Sequence, residues 1–240
     1  DETVIYSAHW DGFGIGEPDA AGDPVRHGAV DNATGVAAVI ELARVFAAGP
    51  RPQRTLLFMA LTAEEKGLQG ATFYAANPLV PLAKTAAVLN IEMLSPDGPT
   101  RDIASWGKGR VSLENDLKRV AEAHGRTYSP DPNLEAGFFY RADHFAFARA
   151  GVPAITVGAG LDRIDGGVAS GKALRDAYFA RCYHQPCDAW TASWDARGQA
   201  QDVALLYALG REIADSDAWP HWLNGSEFKA VRERSETERK

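Results

Sequence analysis

The 240-residue sequence is poor in cysteine, with only Cys182 and Cys187. Two are too few for a disulfide framework and enough for one short loop. No apolar run approaches the ~20 residues needed to span a bilayer, so no membrane partner is expected. Basic charge is outnumbered, with 25 Lys and Arg against 32 Asp and Glu and a net charge of -7. That balance argues against a nucleic-acid partner, which would show a basic patch. Internal repeats, low-complexity blocks and a clear second domain are also missing. Asp1 stands almost directly before the first strand, so the sequence is expected to be a mature fragment or an excised domain.

What remains is a chain long enough for one α/β domain with a full core. Its centre is the stretch from Leu57 to Gly67. An apolar run, Leu-Phe-Met-Ala-Leu, reads as a strand buried on both faces and empties into Glu64 and Glu65. Carboxylates at the carboxyl end of such a strand lie where open α/β sheets place their ligands. They also suit the first turn of a following helix, where acidic side chains meet the helix dipole.

Other segments repeat the pattern. A short strand, Val4 to Ala8, runs into His9-Trp10-Asp11, placing His9 and Asp11 on one side of an extended segment. A Gly-rich loop from Gly12 to Gly28 leads to Asp31 and Asn32, ahead of the apolar helical stripe Val36, Val39, Ile40, Ala43. Asp31 either caps that helix or bridges two cations. A second buried strand, Ala86 to Leu94, contains Glu92, which is costly there unless paired or metal-bound. An aromatic loop, Phe138-Phe139-Tyr140-Arg141, precedes Asp143-His144 and a short helix. Phe139 and Tyr140 either line an apolar substrate pocket or belong to the core, and Arg141 is a candidate for holding a substrate carbonyl or carboxylate. His144 reads as a brace or a helix cap. The Gly158–Lys172 segment reads as a mobile loop, and Tyr183-His184 sits in a turn held by Pro186. A long helix is expected from about Ala196 to Ala214; His27 and His221 have no carboxylate motif beside them, and His124 suits a helix end, where a basic side chain meets the dipole. The domain is expected to span residues 1–216, with 217–240 as a tail whose charge-rich end is expected to be disordered.

His9, Asp31, Glu65, Glu92 and His184 each fall at a strand end, a helix start or a turn. Imidazoles and carboxylates are ligand types that zinc accepts. Five are one too many for an ordinary single zinc site and suit a metal pair about 3.5–4 Å apart.

The order of motifs strongly resembles a known family. His-x-Asp, Val-Asp-Asn-Ala-x-Gly, Thr-Ala-Glu-Glu-x-Gly-Leu-x-Gly, Asn-Ile-Glu-Met, Tyr-Arg-x-Asp-His and Tyr-His-Gln-Pro occur in sequence. They are similar to the motifs of the co-catalytic di-zinc aminopeptidases, typified by secreted bacterial leucyl aminopeptidases and related to glutamate carboxypeptidase II. The resemblance implies a three-layer α/β/α fold with a largely parallel mixed central sheet, a peptide substrate, two zinc ions, and a secreted or periplasmic location. It implies that His9, oriented by Asp11, binds one zinc, that Asp31 bridges, and that Glu65, Glu92 and His184 complete the set. Glu64 becomes the general base for the water that attacks the scissile carbonyl, with a pKa raised toward neutrality. Tyr183 donates to the oxyanion, and Arg141 helps to hold the substrate.

Two departures accompany the resemblance. Glu92 stands where the family carries Asp, and the extra methylene is expected to alter the metal's position, denticity or occupancy. Members also usually carry a strand and helix ahead of the His-x-Asp strand, so an upstream segment is expected. A glutamate-releasing carboxypeptidase is the alternative and would need a basic pocket, for which Arg141 stands alone. Glutaminyl cyclases share the fold with a single zinc. A non-catalytic relative would have lost ligands that this chain keeps.

Overall fold

The computed structural model describes residues 2–131 and 133–239. Its strands are β1 (Thr3–His9), β2 (Gly14–Ile15), β3 (Val25–Arg26), β4 (Thr55–Leu61), β5 (Thr85–Ile91), β6 (Asp102–Trp106), β7 (Thr127–Ser129) and β8 (Ala154–Ala159). Its helices are α1 (Thr34–Ala48), α2 (Gln69–Ala76), α3 (Leu113–Ala123), α4 (His144–Arg149), α5 (Gly167–Arg181), α6 (Arg197–Asp215) and α7 (Lys229–Arg234). Six strands form one sheet in the order β4-β1-β5-β8-β6-β7. All neighbours are parallel except β6 and β8, which makes the sheet mixed and largely parallel, as expected.

Strand alternation divides the core into two. Val4, Tyr6 and Ala8 of β1 and Leu89 and Ile91 of β5 face one way, against α1, α3 and α6. Ile5 and Val88 face the other, with Tyr74 of α2 and Phe147 of α4. Two apolar faces require two covering layers, which gives the α/β/α arrangement. Gly210 lets α6 lie close to the sheet, since a Cβ there would fall 1.6 Å from the Tyr6 hydroxyl oxygen. That hydroxyl donates to the Leu206 carbonyl at 2.7 Å, satisfying the one polar group of a fully buried ring.

Two sequence expectations are corrected here. The segment expected as a mobile loop up to Lys172 already contains the first turn of α5, which starts at Gly167. The glycines concealed it, because they lower helix propensity and leave no clear apolar stripe. The tail beyond residue 216 is not a loose appendage. Trp222 and Phe228 are buried in the larger core, and residues 229–234 form α7. Its aromatics carry more weight than its charges, and only residue 240 of that tail lies outside the described residues.

Candidate metal centre

The carboxyl ends of β1, β4 and β5 converge with two loops. His9 is the last residue of β1 and is buried. Its Nδ1 meets the Asp11 main-chain carbonyl at 3.1 Å. A carbonyl only accepts, so Nδ1 carries the proton, and in the neutral ring Nε2 turns its lone pair inward. Nε2 lies 3.2 Å from Asp31 Oδ1 and 3.4 Å from Glu92 Oε2. Across the cluster, His184 Nε2 lies 3.1 Å from Asp31 Oδ2 and 3.3 Å from Glu65 Oε2. The ligand atoms of His9, Asp31 and Glu92 lie within 4.8 Å of one another, as do those of Asp31, Glu65 and His184. Asp31 thus offers one oxygen to each triad.

Local structure holds these groups. Asp31 lies in the short turn Ala29–Ala33 ahead of α1. Gly35 is required there, because a Cβ would sit 2.3 Å from Asn32 Oδ1 and 2.7 Å from the Ile91 carbonyl. Three non-glycine residues with positive φ lie at the site: Ala63 before Glu64, Met93 after Glu92, and His184 itself. Left-handed backbone at such positions costs ~1–3 kcal/mol each and persists where surroundings over-determine it, typically around functional groups.

Asp11 acts on His9 and on the neighbouring turn. Its carboxylate lies 3.7 Å from His9 Nδ1 and accepts from the backbone N–H groups of Glu64 (3.0 Å) and Glu65 (3.3 Å). The main-chain carbonyl orients His9, and the side chain pins the Glu64–Glu65 turn. Glu64 stands within 4.8 Å of the ligand atoms of His9 and Glu65.

Electrostatics show how much negative charge is gathered here. Burial and the charge of Glu92 push the Glu64 carboxyl up to about 9, in the direction expected for a base. Burial and Asp31 push Glu65 up to about 7, and burial raises Glu92. For Asp31, burial is outweighed by its interactions with His184 and His9, which hold it low. Burial disfavours a charged His9, but its contacts with Asp11, Asp31 and Glu92 outweigh it and raise the ring's pKa. Crowded carboxylates facing imidazole nitrogens are the donor set that divalent cations compensate, so these residues fit metal ions.

Tyr183 stacks on the His184 ring at 3.6 Å between centroids, and its hydroxyl is shifted upward by burial and by Asp31. The charge of Arg141 acts on that hydroxyl, while its guanidinium rests 5.1 Å from the Phe138 ring. Phe139 and Tyr140, candidate substrate contacts in the sequence, lie elsewhere. Phe139 is buried, stacked on Phe228 at 5.8 Å and edge-on to His144 at 4.7 Å. The Tyr140 hydroxyl donates to Glu227 and accepts from Arg110. Both residues join the aromatic loop to the tail, Phe139 as part of the core and Tyr140 at its exposed edge.

His27 pairs with Asp23 and His124 with the Val120 carbonyl, away from the centre. His144 braces β8 through Thr156, 2.6 Å from its Nδ1. Sequence reasoning missed Asp143, whose carboxylate is fully buried with no hydrogen-bond donor among the described residues. Burial and Glu92 push it up to about 8. Asn32, Asn90 and Asp188 were missed as well, and each holds a ligand or its backbone. The motif neighbours Asn32 and Asn90 were readable as amides beside a ligand, whereas nothing local to Asp143 signalled its burial.

A family model described as Peptidase family M28 matches residues 1–208. The chain belongs to peptidase family M28. A "Probable zinc metalloprotease" of Pyrenophora tritici-repentis (strain Pt-1C-BFP) is 29% identical over 227 residues, covering 91% of this chain and 49% of the relative. A "Probable glutamate carboxypeptidase" of Arthroderma benhamiae is 29% identical over 238 residues, 92% of this chain and 30% of the relative. This M28 chain therefore spans half or less of the length of these curated relatives. Among solved structures, an aminopeptidase from Aneurinibacillus sp. strain AM-1 superposes with a TM-score of 0.63 at 22% identity, covering 91% of this chain and 45% of that one. At that identity the likeness establishes the M28 fold.

Proposed function

We propose that this M28 chain is a two-zinc aminopeptidase that removes N-terminal residues from peptides. The observation carrying this reading is the pair of ligand triads sharing Asp31, with Glu64 against their edge. His9 and Glu92 would hold one ion, Glu65 and His184 the other, and Asp31 both. Bound zinc supplies Lewis acidity and a water of lowered pKa.

Glu64 takes the proton from the attacking water and returns it to the leaving amine. Burial and the charge of Glu92 raise its pKa, the direction that makes it a stronger base than an ordinary carboxylate. Asp11 fixes the turn that aims it. Tyr183, braced on His184, donates to the developing oxyanion, and Arg141 steadies the substrate beside it. The bridged cysteines Cys182 and Cys187 support an oxidising, extracytoplasmic location. Among the described residues no helix is long and apolar enough to cross a membrane.

The test is hydrolysis of aminoacyl p-nitroanilides with zinc, after chelation, and by Glu64→Ala. Chelator-sensitive cleavage that the variant lacks while keeping its metal is expected. Release of C-terminal glutamate from N-acetylated dipeptides, with no cleavage of the anilides, would replace this reading by the carboxypeptidase one.

A further inference from the structure

The two triads are built on different foundations. His9 ends a buried central strand, and Glu92 follows another directly. Glu92 is gripped at one oxygen by Asn32 Nδ2 at 2.8 Å and at the other by Asn90 Nδ2 at 3.0 Å. His184 has no strand beneath it. It lies inside the ring closed by the Cys182–Cys187 disulfide, with Tyr183, Gln185 and Pro186. Its φ of 61° is a left-handed conformation that a β-carbon disfavours, so the turn needs outside restraint. The ring is anchored on α5, where the N–H groups of Cys182 and Tyr183 both donate to the Tyr178 carbonyl.

The residue after the ring extends the restraint to the shared ligand. The Asp188 carboxylate is buried and accepts from the backbone N–H groups of Val30 (2.8 Å) and Asp31 (3.1 Å), and from the Tyr178 hydroxyl (3.1 Å). Its carbonyl accepts from the Ala29 N–H at 3.0 Å. One cross-linked segment therefore sets His184 directly and the backbone of Asp31 through Asp188.

Building on the two-cation reading, we propose that the Cys182–Cys187 bridge is a positioning element for His184, and so for the Asp31–Glu65–His184 subsite, while Asp188 holds the Asp31 that both subsites share. The Asp31–Glu65–His184 subsite depends on the loop being oxidised, whereas the His9–Asp31–Glu92 subsite does not. Without the bridge, the left-handed turn at His184 relaxes, and its imidazole and the stacked Tyr183 swing together. Cys187 is exposed, so a reductant reaches the bond.

The test measures zinc affinity, with no peptide substrate. Zinc is titrated against a competing chelator into the oxidised protein, into Cys182→Ser/Cys187→Ser, and into native protein reduced with a water-soluble phosphine. The phosphine takes oxygen from water, becoming the phosphine oxide, as the S–S bond opens to two thiols. Two zinc ions per oxidised chain are expected. The reduced and variant proteins should keep one affinity and lose the other by about 10–100-fold, the usual effect of removing a ligand's support. Parallel weakening of both sites, or both retained unchanged, overturns the proposal. If the double variant does not fold by circular dichroism, the phosphine-treated native protein decides. Fewer than two zinc ions in the oxidised protein would instead refute the two-cation reading, and this proposal with it.

Discussion

Asn32 Nδ2 donates to Glu92 Oε2 at 2.8 Å, tying the residue after the shared carboxylate to the ligand at the end of β5. The second Glu92 oxygen accepts from Asn90. Both amides meet a carboxylate at the reach of a glutamate, so the local scaffold is fitted to the longer side chain found here. Glu92→Asp withdraws the carboxylate from both amides by one methylene. Zinc affinity at the His9 subsite is expected to fall about 10–100-fold, with folding intact, as read by competitive zinc titration and circular dichroism.

Glu64→Gln keeps the shape of the side chain and removes its basicity. A fall in kcat of about 10²–10⁴ is expected, the usual contribution of a positioned general base. Zinc content should not change, because the two ligand triads sharing Asp31 do not include Glu64. Steady-state kinetics and metal analysis of one preparation check both halves.

Tyr183→Phe leaves the ring that stacks on His184 and removes the hydroxyl. Loss of one oxyanion donor should lower kcat about 10²–10³-fold with little change in KM. An effect confined to KM would assign the hydroxyl to ground-state binding.

His144 gives stability a pH dependence. Burial, then the charge of Arg110, push its pKa down from 6.5 to about 3. The unfolded chain therefore binds a proton that the folded one refuses. Stability from this group is full above pH 6.5 and is lost as pH falls toward 3. The loss should reach about 2 kcal/mol by pH 5. Urea unfolding of the wild type and His144→Gln between pH 7 and 5 should show a flatter slope for the variant.

Phe139→Ala tests packing against pocket lining. The buried ring meets Phe228, His144 and Arg110. Stability should fall by about 3–5 kcal/mol, while relative kcat/KM values across a panel of aminoacyl anilides stay unchanged.

The parts legible in the sequence were those with a local signature. An apolar run ending in an acid locates β4 and Glu64–Glu65, although β4 is a partly buried edge strand and not one buried on both faces, and a glutamate after such a run locates Glu92. Whatever depends on distant segments meeting was not legible. Asp188 acts on Val30 and Asp31 across 158 and 157 positions, and no periodicity encodes that. Phe139 reads equally as pocket lining or as core, and the partner that places it in the core, Phe228, comes from the far tail. Asp143 looks like any helix-start acid until the sheet closes over it.

The family match stops at residue 208, but the folded core does not. Trp222 is buried and donates to the Gly151 carbonyl at 2.9 Å, and Phe228 closes over the aromatic loop. A fragment cut at the end of the match would therefore present an open apolar wound beside the loop that leads into α4. The family match and the packed core have different ends in this chain. During synthesis, this side of the core stays unsealed until the ribosome has delivered the segment that carries Trp222 and Phe228.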